Sequence, residues 1–265
     1  MTVAVGGVEY TIGASPVTGC GRSWSAAELE AALAGPVAEV VFDDAGRADL
    51  AALLSGLPDT EFDPTAVRAV LTVSRAPEDW RVGEALAESY LVHHRNCHFP
   101  WPDGRDERKS GSSLPGADLV GFQNDEASDR FAFGEVKTSS ENQYPPGTMH
   151  GPTGLKQQLE DLRDNPTIRK VLVEYLGYRA TNAPWKEQFR RAASRYLKDF
   201  SDVRVFGVMV RDVVPHQDDL RVRVNKLGNG CPASIAIELL AIYLPRGSIA
   251  TLSEKVVRFR VGGVT

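Results

Sequence analysis

Two short stretches hold the residues best suited to chemistry. GADLVGF (116–122) carries Asp118, and FAFGEVKTSS (131–140) carries Glu135 and Lys137. Both are apolar around these charges, and the polar run Asn124–Asp129 joins them. That pattern predicts an antiparallel hairpin of two strands, Ala117–Gln123 and Arg130–Thr138. Side chains alternate along a strand, so positions 135 and 137 share one face and Val136 takes the other. Pairing then gathers one carboxylate from each strand and one ammonium. Two carboxylates held close repel unless a cation lies between them. Carboxylate and carbonyl oxygens, completed by water, suit Mg²⁺ or Mn²⁺. Such a cation polarises a phosphodiester and acidifies a bound water, while the lysine offsets charge developing beside it.

The flanking elements must hold this hairpin. Glu78–His93 lacks proline, and Val82, Leu86 and Tyr90 recur every four residues, which predicts a helix with Glu84 and Glu88 on an adjacent face. Residues 99–116 are rich in Pro, Gly, Ser and charge and read as a long loop. Helices are predicted over Gly154–Arg163, Pro166–Tyr178 and Pro184–Phe200, the last with an apolar stripe of Trp185, Phe189, Ala192, Tyr196 and Phe200. Val203–Val210 and Ile235–Leu244 read as strands, the first central in the sheet, and Lys255–Val261 as a last strand. Upstream, Ser25–Leu33 and Asp44–Ser55 read as helices, Ala38–Phe42 and Val67–Val73 as buried strands, and Gly56–Pro64 as loop. The expected organisation is α/β, with residues 1–76 an accessory or partner-binding segment and 77–265 a second domain ending in C-terminal strands.

An Asp, a 16-residue spacer and Glu-Val-Lys, preceded by a glutamate-bearing helix, resemble the PD-(D/E)XK nuclease superfamily. The resemblance covers residues 78–176, and Ala117 stands where the family name expects proline. It implies a restriction-endonuclease-like core, a mixed central sheet flanked by helices. It also implies metal bound by Asp118, Glu135 and the Val136 carbonyl, with Lys137 as catalytic lysine and Glu84 completing the metal shell. Glu88, Gln157 and Gln158 are accessory candidates by the same resemblance. The implied activity is Mg²⁺- or Mn²⁺-dependent hydrolysis of DNA phosphodiester bonds, leaving 5′-phosphate and 3′-hydroxyl ends. The Gly-Glu helix and the FGEVKTSS ending are also similar to nuclease subunits of bacterial anti-phage systems, such as the HamA subunit of Hachiman. That similarity implies a separate helicase partner, docked by the acidic N-terminal segment and the C-terminal strands. The alternative expectation is a non-catalytic nucleic-acid-binding or assembly module that keeps the nuclease fold.

Composition bounds these readings. The chain has 265 residues, 42% hydrophobic and 25% charged, enough for an ordinary core and too apolar for general disorder. Its longest apolar run, Ile235–Leu244, contains Glu238 and is too short to cross a bilayer. The start, MTVAVGGVEY, lacks a secretory pattern, so a cytoplasmic chain is expected. Three cysteines without a CxxC pair argue against a disulfide framework or a zinc knuckle. His93, His94, Cys97 and His98 read as a solvated helix end, His150 as a surface histidine, and Asp125, Glu126 and Asp129 as a soluble hairpin tip. Ser110, Ser112 and Ser113 form no nucleophile elbow, and no phosphate-binding glycine loop is present.

The net charge of −5 is unevenly spread. Residues 1–77 hold ten acids and four bases, whereas 165–211 hold ten bases and four acids. Lys186, Arg190, Arg191, Arg195 and Lys198 cover the side of the 184–200 helix away from its aromatic stripe, as an ordinary solvated face or a phosphate-tracking one. Arg105 and Lys109 would flank the other side of a cleft.

Overall fold

The longest apolar stretches form the centre of a seven-stranded mixed sheet. The computed structural model describes residues 2–55, 76–102, 105 and 116–262. Its strands are β1 (Gly7–Ala14), β2 (Val17–Ser23), β3 (Cys97–His98), β4 (Leu119–Asn124), β5 (Asp129–Ser139), β6 (Val203–Arg211) and β7 (Ala236–Tyr243). Their spatial order is β1-β2-β7-β6-β5-β4-β3. The run β2-β7-β6-β5 is parallel, and the β1/β2, β4/β5 and β3/β4 pairs are antiparallel. β6 and β7 are covered on both faces, which is why they read as nearly continuous apolar runs rather than alternating ones. The sheet takes strands from both sides of residue 76.

Helices cover both faces. α1 (Ala26–Ala34), α2 (Pro36–Val41), α3 (Asp44–Ser55), α4 (Asp79–Arg95) and α9 (Leu252–Gly262) lie upstream and downstream of α5 (Leu155–Asp164), α6 (Pro166–Ala180), α7 (Lys186–Tyr196) and α8 (Arg221–Gly228). α1, α2, α4 and α9 share one core with Ala132, Val136 and Val208, whereas α5 to α8 share the other with Val120, Phe122, Phe131 and Phe133. Along β5 the odd positions 131 and 133 face the α5–α8 side and the even positions 132 and 136 face α4.

Local sequence explains most elements. Ser25 caps α1 in a reciprocal box with Glu28. α4 buries Val82, Leu86 and Tyr90 and ends at Asn96 in the left-handed region (φ 51). Two expected strands are helices instead. Ala38–Phe42 falls on α2, where Pro36 occupies the first helical turn and Val37 and Ala38 are buried. Lys255–Val261 falls in α9: the β-branched content suggested a strand, but Leu252 and Val256 are buried one helical turn apart. The C-terminal strands therefore reduce to β7 followed by a helix. The expectations for 56–64, 67–73 and Lys109 lie outside the described residues. The β1–β2 hairpin and α8 were not anticipated, because residues 7–23 lack a long apolar run and α8 carries four charged or amide side chains in eight residues.

Candidate functional site

Hairpin register decides which side chains meet. β4 and β5 pair Leu119 with Gly134 and Val120 with Phe133, and one step further along the same register sets Asp118 opposite Glu135. Asp118 is in phase with Val120 and Phe122, and Glu135 and Lys137 with Phe131 and Phe133, so all three project on the α5–α8 side. Gly116 makes the turn into β4 at φ +131, a conformation that L side chains rarely adopt, and a Cβ there would lie 2.9 Å from Leu172 on α6.

The structure brings the expected triad together. The carboxyl groups of Asp118 and Glu135 are within hydrogen-bonding reach of each other. The Val136 N–H donates to Asp118 Oδ2 at 2.7 Å, and Lys137 Nζ donates to Glu135 Oε1. In an antiparallel pair a residue's N–H and C=O point to the same neighbour, so the Val136 carbonyl faces the Asp118 side as well. Glu135 is 2% exposed. Burial first, and the Asp118 charge second, push its carboxyl up to about 8. Burial also raises Asp118, against the pull of Lys137 and the Val136 N–H. Desolvation opposes the Lys137 ammonium, but Glu135 and Asp118 outweigh it and its net shift is upward. Two acids this close thus favour sharing a proton or a cation.

Above the triad lies an open cleft of about 770 Å³, bordered by Trp80 and Glu84 of α4, by Asp118, Glu135 and Lys137, and by Thr148, His150, Thr153 and Gln158 opposite. Glu84 reaches it because α4 packs closely on β5. A Cβ on Gly83 would lie 2.1 Å from Thr138 Oγ1, so with Thr138 as it stands glycine permits that approach. Arg81 Nη1 lies 3.2 Å from Glu84 Oε2. Glu88 borders a narrower crevice that shares Glu84 and Asp118 with the cleft. Of the two glutamines, Gln158 borders the cleft and Gln157 bonds Asp161 at 2.9 Å. Among the described residues no three His, Cys, Asp or Glu side chains cluster closely enough to hold a metal ion.

The far wall has its own anchor. Arg211 is 0% exposed and donates to the carbonyls of Ser139 (3.0 Å), Glu141 (2.8 Å) and Gln143 (3.0 Å) and to Asp219 Oδ2 (3.3 Å). It ties down the chain that leaves β5 and leads to Thr148 and His150. No sequence signal marked Arg211. Trp80 was findable, since it stands one turn before Glu84 on the same helix.

The basic helix is placed elsewhere. Arg191 donates to Asp129 at 2.6 Å, and Arg195 bonds Asp125 at 2.9 Å and Asp202 at 2.8 Å, whereas Lys186, Arg190 and Lys198 are exposed. Asp129 begins β5, six residues before Glu135, which is about 20 Å along a strand. The hairpin tip is not merely solvated: Asp129 is 1% exposed, and although burial opposes its charge, bonds from Asn124, Arg191 and Gln188 hold its carboxyl below the ordinary range. The histidines are dispersed: His93 bonds the Ser89 carbonyl, His94 the Val3 carbonyl and His98 the Gln188 side chain. Arg105 pairs with Asp43 at 2.7 Å. No helix among the described residues is long and apolar enough to cross a membrane.

No family model matches the chain, and no curated protein matches it.

Proposed function

We propose that this chain is a Mg²⁺- or Mn²⁺-dependent nuclease with a restriction-endonuclease-like core, hydrolysing DNA phosphodiester bonds. The observation that carries the reading is the contact between the Asp118 and Glu135 carboxyls beside Lys137 at the floor of an open cleft. Such a pair is costly to ionise in a buried site unless a cation joins it, so the donor set fits a hard divalent ion. Asp118, Glu135 and the Val136 carbonyl would hold it, with Glu84 brought in from α4. When bound, the ion would supply Lewis acidity to a phosphoryl oxygen and a more acidic water. Lys137 would turn from Glu135 to that water, orienting it and offsetting negative charge as the phosphorus gains its fifth oxygen. Gln158 and His150 would meet the substrate across the cleft. As the effector of an anti-phage or restriction system, the chain would work with a separate helicase subunit.

Plasmid and oligonucleotide cleavage over Mg²⁺, Mn²⁺ and Ca²⁺, beside Asp118→Ala and Lys137→Ala, tests the proposal. Each substitution should lower the rate by roughly 10²–10⁴-fold while the fold persists. Unchanged cleavage by either variant removes the assignment. A second reading is a non-catalytic nucleic-acid-binding or assembly module. It draws on the Lys137–Glu135 ion pair, which already neutralises part of the site, and on the lack of three clustered ligands among the described residues. It predicts DNA retention without cleavage and no rise in Tm with Mg²⁺, whereas a metal site gains stability by mass action.

A further inference from the structure

The cleft offers one large apolar surface in a ring of polar groups. Trp80 and Glu84 stand four residues apart on α4 and both border the cleft. Trp80 is 36% exposed, and the Arg81 guanidinium carbon lies 4.9 Å from its ring centroid. Across the opening, the Thr148 hydroxyl is buried without a hydrogen-bond partner.

Charge restricts what can enter. Among the described residues that border the cleft, Glu84, Asp118 and Glu135 face Lys137, with Arg81 paired to Glu84 beside them, so these residues do not make a basic groove. Duplex affinity depends mainly on phosphate neutralisation. The basic face of α7 begins about 20 Å away along β5, and Arg191 and Arg195 are engaged there with Asp129, Asp125 and Asp202. A bound divalent ion and Lys137 would meet the scissile phosphate alone, so further attraction at the cleft calls for a term that does not depend on phosphate. Base stacking on an aromatic ring is such a term, and it needs a base outside the duplex stack.

We infer that the cleft takes single-stranded nucleic acid, with the base beside the scissile phosphate stacked on Trp80. This rests on the nuclease reading and names the form of its substrate. Trp80 is then a specificity-determining residue, with Arg81 bracing the ring from α4.

The test uses the full chain in a Lys137→Ala background with Mg²⁺, so that probes stay intact. Anisotropy of a fluorescein-labelled oligothymidylate is compared with that of a blunt mixed-sequence duplex, for Trp80 itself, Trp80→Phe and Trp80→Ala. Equal unfolding midpoints serve as the folding control. The oligothymidylate should bind more tightly than the duplex. Trp80→Ala should weaken single-strand binding roughly tenfold or more and leave duplex binding unchanged, whereas Trp80→Phe retains most of the affinity. The oligothymidylate should also quench tryptophan emission, and the quench should vanish in Trp80→Phe. Single-strand binding indifferent to Trp80→Ala, or a parallel loss for both probes, overturns the inference. Cleavage by the wild-type chain is run alongside. Cleavage with Trp80-indifferent binding sinks the stacking site alone; Trp80-dependent binding without any cleavage sinks the nuclease reading alone.

Discussion

Replacing Gly83 by alanine tests how α4 delivers Glu84 to the cleft. The added Cβ would lie 2.1 Å from Thr138 Oγ1 and 3.3 Å from Thr138 Cβ. An ordinary contact is ~3.5 Å, so the first distance falls short by about 1.4 Å. Thr138 can rotate its hydroxyl away, but the close Cβ remains, and α4 must still shift off β5. Overpacking of this kind costs about 1–3 kcal/mol. Alanine in place of glycine inside a helix returns about 0.8–1.0 kcal/mol. The expected net loss is about 0–2 kcal/mol, a fall in Tm of roughly 2–4 °C for each kcal/mol lost in a chain of this size. Urea unfolding should show a lower midpoint with an unchanged slope. Thr138→Ala removes the offending oxygen, so Gly83→Ala in that background should be nearly neutral, giving a coupling of about 1 kcal/mol. Cleavage should fall in Gly83→Ala, because Glu84 moves with the helix, and recover in the double variant. A Gly83→Ala chain that unfolds at or above the wild-type midpoint, with the same effect when Thr138 is alanine, refutes the close-approach argument.

Two further outcomes follow from the buried charges. Burial and Asp118 raise the Glu135 carboxyl to about 8, above its unfolded value of ~4.3, so this group stabilises the metal-free fold most below pH ~4.3 and loses that contribution as pH rises through about 8. Thermal unfolding in EDTA should therefore decline over that window less steeply in Glu135→Gln, while the Mg²⁺-induced gain in Tm should grow with pH because ligation needs ionised carboxylates. Parallel wild-type and Glu135→Gln curves would contradict this. Arg211→Met strips the buried Asp219 of its guanidinium and should destabilise by about 3–5 kcal/mol in chemical denaturation. Adding Asp219→Asn should recover part of that loss, and no recovery would place the cost in the released carbonyls of residues 139–143 instead.

The hairpin was legible in the chain because its signals are local. Alternation along 131–137 sets Glu135 and Lys137 on one face, and the polar link 124–129 fixes which strands pair. The stripe Val82, Leu86, Tyr90 marked α4, and its glutamates came with it. The two misread segments, in α2 and α9, are short β-branched runs whose helical state follows from the core they cover, a non-local fact.

What the amino-acid order decided alone was the face on which each charge of the hairpin stands, since that follows from a two-residue period. What only tertiary structure decided was distance across elements. Gly83 brings α4 against Thr138, so Trp80 and Glu84 overhang the cleft; Asp125, Asp129 and Asp202 hold the basic helix at the opposite end of β5; and Arg211 fixes the far wall through carbonyls that every residue possesses. Close approach and backbone hydrogen bonds depend on where segments far apart in the chain come to rest, and no spacing within one segment encodes them.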